Sequence, residues 1–317
     1  MAPPPPPAKV RNANEFIQRK GAKPAPGIAA VRAQRQESRD GNRTIIREGD
    51  RTIVRGENRT IIQHNEAARF AIGARNIRTD RRGNEVVTIV ERPGGVQIVT
   101  YTDRDGRLIR RVRRERGGRD TILIDNRFAG AVASIFIELA RPQIRMPRER
   151  YIVDAGRADR AAIYDVFIAP PVETLDRRYT LEQVRYNEPL REYMRRVDLD
   201  VNFASGSWQL TPDQIAQLAV VAESLNRAIE RNPREMFLIE GHTDAVGTEE
   251  DNLSLSDRRA EAVAVALTER FRVPGENLVT QGYGEEYLKV NTDGPSRENR
   301  RVAVRRITPL IDQTAQR

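Results

Sequence analysis

The chain has 317 residues, of which 38% are hydrophobic and 31% charged, and it contains no cysteine. That length accommodates two domains and at least one sizeable core, while the high charge predicts that part of the chain is extended. Without cysteine there is no disulfide scaffold, thiolate metal site, Cys nucleophile or lipidated Cys in this sequence.

The net charge of +9 is unevenly spread: +15 over residues 1–150, −2 over 151–200 and −4 over 201–317. An excess of arginine at the N-terminal end suits an anionic partner reached through residues 42–127: nucleic acid, lipopolysaccharide or another anionic outer-membrane component, or a wall polymer. Only four lysines occur (Lys9, Lys20, Lys23 and Lys289), so a solvated strand face in an arginine-preferring protein is the plainer reading. The same region lacks aromatic interleaving and any RNP-like or zinc motif, which argues against nucleic acid.

Residues 1–41 mix proline, alanine and charge and read as a disordered tether. Met1-Ala2 runs straight into Pro3–Pro7 with no secretory signal, as if taken from inside a longer protein. A period of eight follows, beginning at Arg43, Arg51 and Arg59. Each unit has about five strand formers and a polar turn. Residues 84–125 continue in that style, and the sequence predicts an antiparallel meander or a small β-solenoid over 42–127.

Residues 128–196 are broken by Pro142, Pro147, Pro170, Pro171 and Pro189 and read as a connector. Short helices are expected at 158–168 and 181–194, and a strand at 151–154. The most apolar stretch, 129–140, carries Glu138 and is too short to span a membrane.

From residue 197 the pattern sharpens. Val197–Phe203 alternates as a strand. Thr211-Pro212-Asp213 opens a helix with an N-cap, a first-position proline and an acid. Ile215, Leu218, Ala222, Leu225 and Ile229 line its apolar face. Met236–Glu240 is a second strand, residues 253–271 a second helix, and 277–282 and 300–307 two more strands. The order β-α-β-α-β-β over 197–308 predicts an α+β fold, a mixed sheet with helices on one face. Residues 309–317 read as a tail.

The informative stretch is Gly241-His242-Thr243-Asp244-Ala245-Val246-Gly247, followed by Asn252-Leu253-Ser254-Leu255-Ser256-Asp257-Arg258-Arg259-Ala260. Asp244 follows a strand end, and Arg259 is expected within two turns of the next helix start. A carboxylate and a guanidinium sharing one cleft suit a zwitterion, with helix-start amides assisting. The plainer reading is an ion pair that orders the loop.

Gly-His-Thr-Asp with the spaced Asn-x-x-Leu-Ser-x-x-Arg-Ala resembles the OmpA-like peptidoglycan-binding family, which includes Pal lipoproteins and the MotB stator domain. Phe203, Leu210-Thr211-Pro212, Gln281-Gly282-Tyr283-Gly284 and Asn299-Arg300-Arg301-Val302 extend the match over about 110 residues in order. The resemblance implies a periplasmic, outer-membrane-associated anchor of a Gram-negative envelope. It also implies that Asp244 and Arg259 clamp the free amino-acid end of meso-diaminopimelate in the wall's stem peptide. Asn252 and Thr243 would add hydrogen bonds, and Arg301 would brace the site. One departure is the loop Ala204-Ser205-Gly206-Ser207, where the family often carries Asp or Asn.

No catalytic residue, cofactor or metal is expected. His242 has no partner for metal or base chemistry and reads as a structural ring bonded to the loop backbone. Ser254 and Ser256 lack a His-Asp relay, Trp208 and Tyr283 read as packing residues, and Asp257 and Arg258 as solvated helix-face charges. The rivals are an N-terminal polyanion binder with the C-terminal part as a tether, and a wall hydrolase. If binding is modular, residues 190–317 alone would carry it.

Overall fold

The computed structural model describes residues 27–57, 59–104, 106–129 and 135–312. Residues 1–26 of the expected tether lie outside this range. The remainder is not a disordered tether: helix α1 (Ile28–Arg32) leads into strand β1 (Gln36–Asp40).

The period of eight folds as a meander, with β2 (Arg43–Glu48), β3 (Arg51–Arg55) and β4 (Thr60–His64) following β1 in an antiparallel sheet ordered β1-β2-β3-β4. Pairing sets Ile46 opposite Ile53 and Ile53 opposite Ile62. Because neighbouring strands run oppositely, the inward position alternates between the fourth and third residue of the repeat. This explains why every unit carries two adjacent aliphatics. Ile46, Ile53 and Ile62 are fully buried, while Ile45, Val54 and Ile61 form the half-buried outer face.

A short helix, α2 (Ala67–Phe70), precedes a second antiparallel meander: β5 (Asn76–Arg82), β6 (Glu85–Glu91), β7 (Gln97–Thr102), β8 (Leu108–Arg114) and β9 (Asp120–Asp125), paired in chain order. The residues read as one β region are therefore two sheets, and no solenoid forms.

The connector is part of the C-terminal fold. Helix α3 (Arg148–Tyr151) precedes β10 (Ile152–Asp154), which pairs in parallel with β11 (Arg196–Leu199). Between them lie α4 (Arg160–Ile168), α5 (Leu181–Tyr186) and α6 (Glu188–Arg191). The C-terminal sheet has the order β10-β11-β14-β12-β13, with β12 at Phe237–Gly241, β13 at Leu278–Gly282 and β14 at Val302–Arg306. Strands β12 and β13 are parallel, and β14 runs antiparallel to both β11 and β12.

The first predicted helix is split into α7 (Pro212–Gln217), with a Thr211–Gln214 capping box, and α8 (Ala219–Arg231). The second, α9 (Glu249–Phe271), starts earlier than read because Thr248 caps it, its side chain accepting from the Asp251 amide. Helices α4, α8 and α9 cover one sheet face, burying Phe167, Leu225, Val263, Leu267, Phe237, Val302 and Val304. The connector and the last turn, α10 (Thr308–Ile311), cover the other, burying Leu181, Leu190, Met194, Leu238, Val279 and Leu310. Residues 308–311 are therefore core, not tail.

Helix α9 crosses the sheet in near contact. Gly241 and Gly282 are cross-strand neighbours, and a Cβ on them would lie 1.9 Å from the Ser256 carbonyl oxygen and 2.3 Å from the Asp257 amide. Only glycine fits at either position.

The outer face of α9 is covered by the first meander. Asp257, read as solvated, is fully buried. It accepts from Arg51 Nε at 2.8 Å and lies 3.0 Å from His64 Nδ1. Glu261 pairs with Arg69 and with Thr280 Oγ1. Arg258 is half-buried against Glu48, whose carboxylate also takes the Ser254 hydroxyl. Ser254 and Ser256 are thus structural, the latter's hydroxyl donating to Leu253 O at 2.8 Å. A helix face as charged as this is covered only because the first meander brings arginines and a histidine of opposite sign.

Candidate functional site

Asp244 sits three residues past β12, in a loop leading to α9. Its Oδ2 accepts from Arg300 Nη1 at 2.6 Å and from the Ser296 amide at 3.2 Å, while Oδ1 has no bond. The Asp244 side chain is 10% exposed and that of Arg300 26%, so the pair lies just under the surface. Arg300 was not among the expected site residues. In Asn299-Arg300-Arg301-Val302 it is Arg301 that adjoins the strand, yet Arg300 is the residue that reaches Asp244.

Arg259 is 1% exposed. Its Nε donates to Ser207 O at 3.0 Å and its Nη2 to Ala204 O at 3.2 Å, and the guanidinium lies over the Phe203 ring at 5.0 Å. Its Nη1 is buried without a partner. Burial lowers the Arg259 pKa to about 10, helped by the nearby positive charge of Arg300 and opposed by Asp244. Asp244 and Arg259 therefore feel one another's charge without bonding. The loop at 204–207 lacks the acidic or amide side chain often found there, but it contributes through two backbone carbonyls, which no side-chain motif encodes.

Because α9 starts at Glu249, Arg259 lies ten residues from its first position, about 15 Å along the axis. The expected help from helix-start amides therefore does not reach the Arg259 side of the site.

Thr243 is buried; its amide donates to Gly284 O at 2.9 Å and its hydroxyl has no partner. Asn252 is not aimed at Asp244: its Nδ2 donates to Glu285 Oε2 at 2.7 Å, fastening the helix start to the loop after β13. Arg301 does not join the site either. It is one residue out of phase with Val302 and Val304, which face the helices, so it points to the opposite face. There its Nη2 donates to Tyr287 O at 2.9 Å. Burial lowers its pKa to about 10, assisted by Arg196.

His242 does not bond the loop backbone as expected. Both ring nitrogens are buried without partners, and the ring stacks on Tyr283 with centroids 5.6 Å apart. Burial, reinforced by Arg301 and Arg196, keeps it well below the ordinary histidine range and so neutral. Trp208, half-buried, carries Arg258 over its ring at 5.1 Å. Tyr283 is a packing residue, its hydroxyl donating to Arg185 O at 2.9 Å.

Among the described residues no helix is long and apolar enough to cross a membrane.

The strand–loop–helix arrangement around Asp244 and Arg259 is that of a known class of domain, and comparison with known proteins identifies it. The OmpA family matches residues 202–301. The chain is 32% identical over 140 residues to the putative lipoprotein YfiB of Escherichia coli (strain K12), covering 42% of this chain and 85% of that one. It is 36% identical over 90 residues to outer membrane porin F of Pseudomonas aeruginosa, covering 28% of this chain and 25% of the porin. Among solved structures, the peptidoglycan-associated lipoprotein from Burkholderia pseudomallei is 26% identical, covering 38% of this chain and 95% of that one, with a TM-score of 0.29. The chain belongs to the OmpA family.

Proposed function

We propose that this protein binds peptidoglycan non-covalently in a Gram-negative envelope, gripping the free amino-acid end of meso-diaminopimelate between Asp244 and Arg259. The observation that carries the reading is the pairing of unspent groups at this site. Arg259 Nη1 is a buried donor without a partner, and Asp244, whose charge Arg259 feels, keeps one carboxylate oxygen unbonded. A carboxylate on the ligand answers the guanidinium and its ammonium answers Asp244. Two or three such contacts, at about 1.5–3 kcal/mol each, support micromolar binding after association costs. The relatives named as a peptidoglycan-associated lipoprotein and an outer-membrane porin support the compartment and the polymer.

Arg300 adds a step absent from the plain clamp. Its guanidinium already sits on Asp244 Oδ2, so a ligand ammonium must share the carboxylate through Oδ1 or push Arg300 aside. The protein holds the wall without cleaving it.

Purified sacculi test the reading. The wild type co-sediments with diaminopimelate-type sacculi, and Asp244→Ala and Arg259→Ala each weaken binding at least tenfold. Lysine-type walls, which lack the second carboxylate, bind more weakly. Equal binding to both walls would remove the assigned roles. Release of muropeptides that stops in Asp244→Ala would instead make the protein a hydrolase.

A further inference from the structure

The segment before β1 is fastened to the rim of the candidate site. The Ile28 amide donates to Gly206 O at 2.9 Å, and Gly27 packs so closely that a Cβ there would lie 3.2 Å from the same oxygen. Gly206 sits between Ala204 and Ser207, whose carbonyls hold Arg259. At the other end of the segment, Arg32 and Arg35 both pair with Asp251 in the first turn of α9, Arg35 Nη2 at 2.8 Å. Arg35 Nε also reaches Glu48 Oε1 at 2.5 Å. Residues 27–35 thus tie two elements together: the loop that grips Arg259, and the helix that carries it. Ala204 and Ser205 stay exposed beside the strap.

We infer that residues 27–35 act as a positioning strap for the ligand site, so that docking of the strap and binding of the wall ligand favour one another. The inference rests on the proposed function. Gly206 has φ = +66°, a turn conformation that glycine takes readily, and because glycine loses the most backbone entropy when ordered, contacts that hold this loop offset a real cost. With the strap docked, the ordering cost of the loop is met before ligand arrives; with it undocked, ligand binding must meet it. Linkage makes the effect reciprocal: ligand must hold the strap down by the same factor that the strap raises affinity.

Ile28→Pro is a clean perturbation. Ile28 is the first residue of α1 and Gly27 is extended at φ −68°, ψ 174°, so proline fits both the helix and its predecessor. The change removes only the amide donated to Gly206 and the isoleucine side chain. Arg32→Gln with Arg35→Gln removes the other anchor. Affinity for a soluble diaminopimelate-type muropeptide is measured for the full chain, with hydrogen exchange at the Ile28 amide read with and without that muropeptide. Each variant is expected to bind about five- to tenfold more weakly. In the wild type, saturating muropeptide slows Ile28 exchange by a similar factor. Wild-type affinity in both variants, or Ile28 exchange unmoved by ligand, overturns the strap. Absence of muropeptide binding by the wild type overturns the proposed function instead. Should Ile28→Pro disturb folding, the exposed Arg32→Gln change alone, with the exchange readout, decides.

Discussion

Glu66 is the residue on which attachment of the N-terminal sheets should most depend. It is 6% exposed. Its carboxylate accepts from Arg111 Nη2 at 2.5 Å, Arg185 Nη2 at 3.0 Å and the Thr280 amide at 3.0 Å, with Arg69 Nη2 3.4 Å away. Burial opposes its charge, but Arg111, Arg185 and Arg69 together hold it well below the usual carboxylate range. Glu66→Ala removes the shared counter-charge of three buried guanidiniums, a change that typically costs about 3–5 kcal/mol, and strands the Thr280 amide for about 1–3 more. Arg69 keeps Glu261 and the Leu278 carbonyl, and Arg111 keeps the Glu276 carbonyl, which offsets part of the loss. The expected net destabilisation is about 4 kcal/mol. Urea unfolding followed by Trp208 fluorescence and by far-ultraviolet dichroism measures it. Trp208 is the only tryptophan and lies in the C-terminal part, whereas dichroism reports on all three sheets. Both signals should shift together to lower urea. A loss below about 1 kcal/mol, or a shift in dichroism that leaves Trp208 untouched, would refute a shared ionic core.

Other expectations follow from the same contacts. Burial works against protonation of His64, yet Asp257 and Glu261 raise its pKa to about 9. Its contribution, at most about 3 kcal/mol, is therefore complete below pH ~6.5 and lost as pH rises through about 9. His64→Gln should flatten the urea midpoint over that window. Gly241→Ala drives a Cβ into the Ser256 carbonyl and should cost about 3 kcal/mol or more, seen as a lower melting temperature. A fragment of residues 190–317 loses β10 and α4, whose Phe167 packs edge-on against Phe237 at 5.3 Å, and uncovers Asp257 and Glu261. It should fail to unfold cooperatively, while residues 27–312 should do so; a sharp melt of the short fragment would count against the integrated fold.

Much of the C-terminal fold was legible because its signals are local. The Thr211-Pro212 start, the Ile215–Ile229 stripe and the alternating strands each lie within one element, and the β-α-β-α-β-β order follows from them. What escaped depended on distant partners. Asp257 and Arg258 look solvated on a helical wheel, and it is partners distant in sequence, among them Arg51, His64 and Glu48 some 200 positions upstream, that cover them. Strand β10 is three residues long, too short for any periodicity to assign it to the main sheet. At the site, the positions of Asp244 and Arg259 could be read from the motif. The carbonyls of Ala204 and Ser207 could not, since backbone acceptors leave no residue signature. Arg300 was obscured by its neighbour Arg301, as the two arginines differ only in which sheet face they take.

The short hydrogen-bonded path at the strap has a mechanical corollary. A ligand gripped at Arg259 and a pull applied through the chain upstream of Gly27 would meet across only Ile28, Gly206 and Ser207. Such tension would bypass the strand ladders of the main sheet and concentrate on one backbone bond and two arginine contacts. If the proposed ligand is gripped at Arg259, that joint is held by one backbone hydrogen bond and the ion pairs of Arg32 and Arg35 with Asp251, contacts that can open and re-form without unpairing a strand of the main sheet.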